Sequence, residues 1–378
     1  MNIKPLQSLL DDITQWRIPG CDCAVFHKNQ TVFRYSAGYA DVKTKTPISS
    51  ENLFNLYSAS KVITCTAALQ LFEQGKFLLN DPLSDYLPEF KELWIRTKIE
   101  NGTTRLVKAK NSIRIRDLFT MSAGLTYDLN TKSIEEVKHQ TQNRCPTREI
   151  MKAIAKEPIL FEPGTQWNYS LCHDVLGGLI EVVSGKRFGD YLAENLFTPL
   201  GMKDTGFCLT EENLPRMATQ YRFEEEKNVA VEIPITNTYK LGSEYESGGA
   251  GLISSVDDYI KFANAMCHGG KAPNGERILS AKTIDLMRMN FLDERSMNNF
   301  NWVQMSGYGY GLGVRTLIDP VKGGSLSPIG EFGWGGAAGA YVLIDPENEL
   351  ALFYAQHLLN NQEPFVHPRI RNTMYASL

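Results

Sequence analysis

The chain has 378 residues and a formal net charge of −4, with 43% hydrophobic and 22% charged residues. These values are typical of a soluble globular protein, and the length predicts two domains. There is no basic stripe and no apolar run of about 18 residues, so the sequence predicts neither a nucleic-acid partner nor a membrane span. Asp11 and Asp12 stand where a signal peptide needs an apolar core, which predicts a cytoplasmic protein.

The cysteine and histidine residues predict neither a disulfide framework nor a metal site, and no cofactor is expected. The number of cysteines is odd, their spacing matches no zinc motif, and His-Glu-x-x-His is absent. We interpret all seven as small buried hydrophobic residues. They are Cys21, Cys23, Cys65, Cys145, Cys172, Cys208 and Cys267.

The first predicted elements are two short strands at residues 22–27 and 31–35. The turn between them contains Asn29, which tolerates a left-handed backbone. A helix is then predicted from Ser58 to Gly75, the latter as its left-handed cap. Apolar residues fall on nearly every side of this helix, so it should cross the middle of a domain.

The middle of the chain is predicted to be helical, with helices at residues 113–121 and 172–184, the second ending at Gly185. Residues 101–110 are polar and predict a surface excursion or a small hairpin. Ser255 is the predicted N-cap of a later helix.

The C-terminal third is predicted to return to strands. Alternating glycines between residues 307 and 313 indicate a strand packed closely against a neighbour, and residues 341–345 and 350–356 predict a second hairpin. Strands at both ends with helices between them predict an α+β fold. In this fold an antiparallel sheet is flanked by terminal helices and carries an inserted, mainly helical domain.

The predicted domain boundaries follow from that architecture. Residues 1–55 plus 245–378 are assigned to the sheet domain and residues 56–244 to the helical domain. The active site is expected in the cleft between them.

Ser58 and Lys61 lie three residues apart in the first turn of a predicted helix, so their side chains share one face. Unpaired backbone N–H groups in that turn favour developing negative charge. Lysine has a reference pKa of about 10.4, and desolvation can lower such a pKa by roughly 3–5 units. The pattern is typical of a nucleophile and its base. The alternative is a capping serine with an outward-pointing lysine.

Two later segments add candidate site residues. Tyr169 stands just ahead of a helix, where its hydroxyl can face a cleft, although packing in the domain wall is the alternative. Trp334, Gly335 and Gly336 stand at the predicted start of the penultimate strand. Glycines there let a ligand approach the backbone, or else form a bulge at the sheet edge.

Together these motifs resemble the serine β-lactamase and penicillin-binding-protein superfamily, in its class C-like branch. The motifs, in chain order, are Ser58-x-x-Lys61, Tyr169 and Trp334-Gly335-Gly336. The sequence is most similar to the family VIII carboxylesterases, which carry Trp-Gly-Gly where class C β-lactamases have Lys-Thr-Gly. The resemblance covers most of the chain.

The resemblance implies a class C β-lactamase-like fold and hydrolysis of a small ester through an acyl-enzyme on Ser58. It further implies that Lys61 and Tyr169 share the proton of Ser58, with the choice of general base left open. The N–H groups of Ser58 and Ala337 are the expected oxyanion hole. Trp334, with the two glycines after it, is expected to bind substrate.

Two departures from the β-lactamase pattern favour a neutral ester over an anionic lactam. Leu171 replaces the asparagine that would hold a lactam amide, and Trp334 replaces the lysine that would meet its carboxylate. The alternatives are a β-lactamase, a DD-peptidase or a D-amino-acid peptidase on the same scaffold. A catalytically silent binding protein is a further alternative.

Overall fold

An eight-stranded antiparallel sheet is built from both ends of the chain. The structure is a computed structural model that describes residues 2–98 and 103–378. The sheet strands, in spatial order, are Tyr308–Tyr310, Arg315–Leu317, Phe332–Gly335, Tyr341–Asp345, Leu350–Gln356, Gly20–His27, Gln30–Asp41 and Thr46–Pro47. The predicted α+β fold with its antiparallel sheet is confirmed.

The centre of the sheet joins the two ends of the chain directly. Gly20–His27 pairs with Leu350–Gln356 from Cys21 opposite Gln356 to His27 opposite Leu350. The N-terminal hairpin has longer strands than predicted, and its turn residue Asn29 is left-handed as expected, with φ +62°. The C-terminal hairpin has the predicted bounds.

Helices cover both faces of the sheet. Lys4–Trp16 and Glu363–Tyr375 pack on one face and bury an apolar cluster there. Val256–Cys267 packs on the other face, where the Tyr259 ring stacks on Phe353 at 4.0 Å between centroids. Ser255 caps this last helix as predicted, since its side chain accepts the N–H of Asp258.

The middle of the chain is mainly helical, and the predicted helix Cys172–Ser184 ends at Gly185 with φ +72°. No helix of residues 2–98 and 103–378 has the length and apolar character needed to cross a bilayer. The other α-helices are Ser60–Glu73, Ile115–Phe119, Lys132–Gln140, Thr147–Lys156, Phe188–Leu192, Thr198–Leu200, Ala281–Met287, Glu294–Asn299 and Pro320–Gly323.

Three smaller sheets lie outside the main one. Tyr221–Glu224 pairs with Val229–Glu232 and with Leu358–Leu359, and Phe54–Asn55 pairs with Ile253–Ser254. The third is the hairpin of Trp94–Lys98 with Thr104–Lys108. A hairpin is present as predicted, but its first strand precedes the predicted range 101–110. Residues 101–102 of that prediction lie outside the described residues. The predicted domain boundaries remain a prediction.

The helix that follows Ser58 starts later than predicted, because residues Tyr57–Ala59 form a 3-10 turn and the α-helix spans Ser60–Glu73. Its side chains are buried from Ser60 to Leu71, so it crosses the core as expected. Gly75 has the predicted left-handed backbone, with φ +67°.

Three sequence predictions are wrong in detail. Trp334 and Gly335 belong to a separate strand inside the sheet rather than to the start of the penultimate strand. The glycine-rich stretch forms only the short strand Tyr308–Tyr310, although its close packing is real: a Cβ on Gly313 would lie 2.2 Å from Cys65 Sγ. Cys208 is exposed, whereas the other six cysteines are buried.

Candidate active site

Ser58 lies in a turn whose backbone is held in an uncommon conformation. The preceding residue, Tyr57, has φ +46°, in the left-handed region that costs a non-glycine residue about 1–3 kcal/mol. Its side chain is buried, its hydroxyl donates to Gln220 Oε1 (2.7 Å), and its ring meets Tyr239 edge-on. These contacts hold the turn and leave Ser58 half-buried at the floor of a pocket.

Lys61 is fully buried beneath Ser58 and contacts neutral oxygen atoms. Its Nζ donates to Ser58 Oγ (3.1 Å), to the Tyr127 hydroxyl (3.2 Å) and to the Gly249 carbonyl (2.6 Å). In the described part of the chain, no carboxylate forms an ion pair with it. The buried amine therefore meets three hydrogen-bond acceptors and, among the described residues, no carboxylate in contact.

Tyr169 supplies a second proton-carrying group at Ser58. Its hydroxyl donates to Ser58 Oγ at 2.6 Å and accepts a long hydrogen bond from Trp334 Nε1 at 3.4 Å. Its ring lies between those of Tyr127 (5.5 Å) and Trp334 (5.9 Å). The structure thus brings the three predicted residues Ser58, Lys61 and Tyr169 into one hydrogen-bonded group.

The turn after Trp334 approaches the backbone just ahead of Ser58. A Cβ on Gly336 would lie 2.2 Å from the Leu56 carbonyl oxygen, so only glycine permits this approach. Among the described residues, the N–H groups of Ser58 and Ala337 have no protein acceptor, and both residues line the pocket. The arrangement meets the requirement of an oxyanion hole for two free, fixed donors.

The pocket above Ser58 has a volume of about 310 Å³, and five of its eleven lining residues are aromatic. Its wall contains the predicted binding residues Trp334, Gly335 and Gly336. The remaining lining residues are Ser58, Tyr127, Tyr169, Tyr239, Trp302, Met305, Ala337 and Glu363. Leu171 is buried and does not line the pocket.

Sequence reasoning missed Tyr127, whose hydroxyl accepts a hydrogen bond from Lys61 Nζ (3.2 Å). Burial, together with the negative charge of Asp174, raises the pKa of Tyr127 well above its usual range. Tyr127 therefore keeps its proton and serves as a hydrogen-bonding partner. Nothing in the local sequence marks it, because its proximity to Lys61 is a consequence of the fold.

Asp174 was also missed, and it fixes the segment that meets Lys61. Its Oδ1 accepts hydrogen bonds from the Tyr245 hydroxyl (2.8 Å) and from Ser247 Oγ (2.6 Å), and Ser247 Oγ accepts the N–H of Ala250 (3.0 Å). The Gly249 carbonyl that contacts Lys61 lies inside this loop. Asp174 is thus a positioning residue, which acts on Lys61 through the loop.

Asn361 performs the corresponding role for the turn after Trp334. Its Nδ2 donates to the carbonyls of Gly336 (3.0 Å) and Ala337 (2.8 Å), and its Oδ1 accepts the N–H of Glu363 (2.8 Å). One buried amide therefore links the turn after Trp334 to the start of the C-terminal helix. A single asparagine in a loop gives no sequence signal for this role.

Comparisons with known proteins identify relatives that match most of the chain. Protein Rv1367c of Mycobacterium tuberculosis is 29% identical over 349 residues, covering 89% of this chain and 85% of the relative. Esterase EstB of Burkholderia gladioli is 27% identical over 353 residues, covering 87% and 83%. The structure of EstCE1, described as a hydrolase with promiscuous acyltransferase activity, matches with a TM-score of 0.79, 25% identity and 98% of each chain.

The family assignment rests on nearly the whole chain. The model of the Beta-lactamase family matches residues 6–373. The described strands and helices give the fold that the sequence resemblance implied, an antiparallel sheet with flanking and intervening helices. The chain belongs to the Beta-lactamase family and is a serine hydrolase with a β-lactamase-like fold.

Proposed function

We propose that the protein hydrolyses short-chain carboxylic esters through an acyl-enzyme on Ser58. The observation that carries this proposal is the hydrogen-bonded group at the pocket floor. Ser58 Oγ lies 3.1 Å from Lys61 Nζ and 2.6 Å from the Tyr169 hydroxyl, while remaining open to the pocket. This is a nucleophile with two neighbours that can take its proton.

The reaction has two steps. Ser58 Oγ attacks the ester carbonyl as its proton passes to Lys61 or Tyr169, and one of these groups then protonates the leaving alcohol. The N–H groups of Ser58 and Ala337 stabilise the oxyanion. Water next attacks the acyl-enzyme, the same groups return the proton to Ser58, and the acid leaves. Lys61 and Tyr169 contact the same oxygen atom, so the choice of general base between them stays open.

The pocket wall supports an ester over a β-lactam. Trp334 offers apolar area and one N–H donor, and that donor already points to the Tyr169 hydroxyl. No lysine or arginine is among the described residues that line the pocket. A lactam carboxylate would therefore be desolvated without a cationic partner, at a cost of several kcal/mol.

The decisive experiment compares substrates on one preparation. We expect kcat/KM for p-nitrophenyl acetate and butyrate to exceed that for a chromogenic cephalosporin by at least about 10²-fold, since each 1.4 kcal/mol is about tenfold. A fluorophosphonate probe should label Ser58. Equal rates, or faster cephalosporin turnover, would support the β-lactamase alternative, and the absence of both labelling and turnover would support a silent binding protein.

Acyl transfer to an alcohol is a second candidate. It is favoured by the similarity to EstCE1, which is described as having promiscuous acyltransferase activity. An acyl-enzyme in an aromatic pocket can be attacked by an alcohol in place of water. Adding 1-butanol to p-nitrophenyl butyrate hydrolysis tests this: butyl butyrate appears as a product if transfer competes, and only butyrate appears if the enzyme is a strict hydrolase.

A further inference from the structure

One acidic side chain, Glu363, lines the pocket above Ser58. Glu363 is the first residue of the C-terminal helix, and the bond from its N–H to Asn361 Oδ1 fixes that start. A Cβ on Gly335 would lie 3.3 Å from Glu363 Oε1, so the carboxylate lies over the backbone of the Trp-Gly-Gly strand. The side chain is 23% exposed and therefore partly shielded from solvent.

The Glu363 carboxylate is available to a ligand. His367 Nδ1 is 3.7 Å from Oε1, beyond hydrogen-bond distance, and Nε2 of the same ring faces the Gly339 carbonyl at 3.2 Å. Within residues 2–98 and 103–378, no hydrogen bond to the Glu363 carboxylate forms. The nearby guanidinium groups of Arg17 and Arg369 stack on the Phe365 ring, at 4.2 and 3.5 Å from its centroid.

Aromatic rings complete the pocket wall around this charge. Trp302 lies 5.3 Å from Tyr169 and 6.2 Å from Trp334, measured between ring centroids, and Tyr239 lies 5.5 Å from Tyr127. Aromatic faces attract cations through their quadrupole, and ammonium ligands are commonly recognised by such walls. Lys61 lies below Ser58 and is fully buried.

We propose that the preferred substrates are esters with a positively charged ammonium group, recognised by Glu363 and the aromatic wall. This inference rests on the proposed ester hydrolase function and names its substrate class. A partly desolvated carboxylate attracts the ammonium group, and the rings of Tyr239, Trp302 and Trp334 cover its methyl or methylene surface. The same carboxylate repels an ester that carries a negative charge.

The test uses three acetate esters that differ in charge. Acetylcholine is cationic, 3,3-dimethylbutyl acetate is its uncharged isostere, and 3-acetoxypropanoate is anionic. Acid release is followed by pH-stat titration at pH 8, with p-nitrophenyl acetate as the reference ester. We expect kcat/KM to be at least about tenfold higher for acetylcholine than for the isostere, and lowest for the anion. Added salt should reduce the ratio.

Two variants distinguish direct contact between Glu363 and the substrate cation from the long-range electrostatic field of the protein. Glu363→Gln keeps the shape, so the acetylcholine-to-isostere ratio should fall to about 1–3 if the carboxylate contacts the cation. Glu225→Gln is the matched control, because Glu225 lines an adjoining open pocket with Glu363 but not the pocket above Ser58. This variant should keep the wild-type ratio. Circular dichroism verifies that both variants are folded.

The outcomes distinguish this inference from the proposed function. Wild-type enzyme that hydrolyses p-nitrophenyl acetate but shows an acetylcholine-to-isostere ratio near 1 would overturn the substrate class and leave the esterase proposal standing. An equal loss of the ratio in both variants would also overturn it, because a long-range field would then be responsible. Failure to hydrolyse any of the four esters would overturn both proposals.

Discussion

The floor and the wall of the pocket above Ser58 differ in burial, hydrogen bonding and aromatic content. Below Ser58, Lys61 is fully buried and makes three hydrogen bonds within a polar network. Above Ser58, the pocket wall contains aromatic side chains and one carboxylate, that of Glu363. In the proposed mechanism the floor holds the proton-transfer groups and the wall selects the substrate. Changes in the floor should lower kcat for every ester, whereas changes in the wall should alter the ratios between esters.

The largest effect is expected for Ser58→Ala, which removes the nucleophile from the floor. Loss of the attacking oxygen should reduce kcat for p-nitrophenyl butyrate by at least about 10⁴-fold. Ser60→Ala is the matched control, because the Ser60 hydroxyl is buried and accepts the N–H of Leu252 (3.1 Å). Activity retained in Ser58→Ala and lost in Ser60→Ala would move the nucleophile to Ser60.

The next effect tests whether the floor needs a base or only a positive charge. Lys61→Arg and Lys61→Ala should both reduce kcat by about 10³-fold, because a guanidinium stays protonated and accepts no proton. The measurement is steady-state kinetics of both variants, with labelling by a fluorophosphonate to report on Ser58. An arginine variant close to wild type would show that charge alone suffices.

Tyr169→Phe should have a smaller effect, because it keeps the ring between Tyr127 and Trp334 and removes only a hydroxyl. General acid–base help is commonly worth 10²–10⁴-fold, so we expect kcat to fall by about 10²-fold for all esters. Tyr127→Phe is the comparison, since its hydroxyl contacts Lys61 rather than Ser58. If Tyr169→Phe loses less than about tenfold, Lys61 alone moves the proton.

The sequence predicted most of the candidate residues at the pocket floor but few of the residues that hold them in position. Ser58 and Lys61 are marked by a spacing of three on a helix, and Cys172–Ser184 by apolar periodicity and a glycine cap, which are local signals. Tyr127, Asp174 and Asn361 act across long sequence separations, so no local pattern could reveal them. The burial of Lys61 followed from the all-round apolar helix, but its contact with the Gly249 carbonyl depends on the loop that Asp174 holds.

Errors in the predicted elements have physical causes as well. Gly333 and Gly335 interrupt the apolar alternation of the strand Phe332–Gly335, so its pattern did not separate it from the following strand. The short strand Tyr308–Tyr310 ends where Gly311 packs against the Met287 carbonyl, a close approach that a local pattern does not locate. In both places tertiary packing, rather than propensity, decides where the strand ends.

Asp174→Asn tests whether the loop that contacts Lys61 must be held in position by Asp174. The variant keeps the shape but weakens the bonds from Tyr245 and Ser247, so kcat should fall by about tenfold for every ester and the ratios between esters should not change. Removing a buried negative charge disfavours protonated groups nearby, so the acid limb of the kcat–pH profile should move to lower pH. An unchanged kcat–pH profile would show that Asp174 has only a structural role.

The smallest effect concerns the stability of the fold and involves His173, a buried histidine that senses the charge of Lys61. Burial, and then the nearby charge of Lys61, lower the pKa of His173 to about 3, and its Nε2 donates to the Phe119 carbonyl at 3.2 Å. The pKa in the unfolded chain is about 6.5, so between pH 6.5 and 3 the unfolded chain binds more protons. The free energy of unfolding must therefore fall as the pH falls through this window.

For His173 alone this loss is about 2 kcal/mol at pH 5 relative to pH 8. His173→Gln places an uncharged amide donor near the position of Nε2. The free energy of unfolding of this variant should therefore change less between pH 8 and pH 5 than that of the wild type, by about 2 kcal/mol. Urea unfolding at pH 8 and pH 5 measures the difference. His357→Gln is the control at a second buried imidazole, whose pKa burial lowers to about 4. Parallel pH dependences in wild type and His173→Gln would mean that folding leaves the pKa of His173 near its unfolded value of about 6.5.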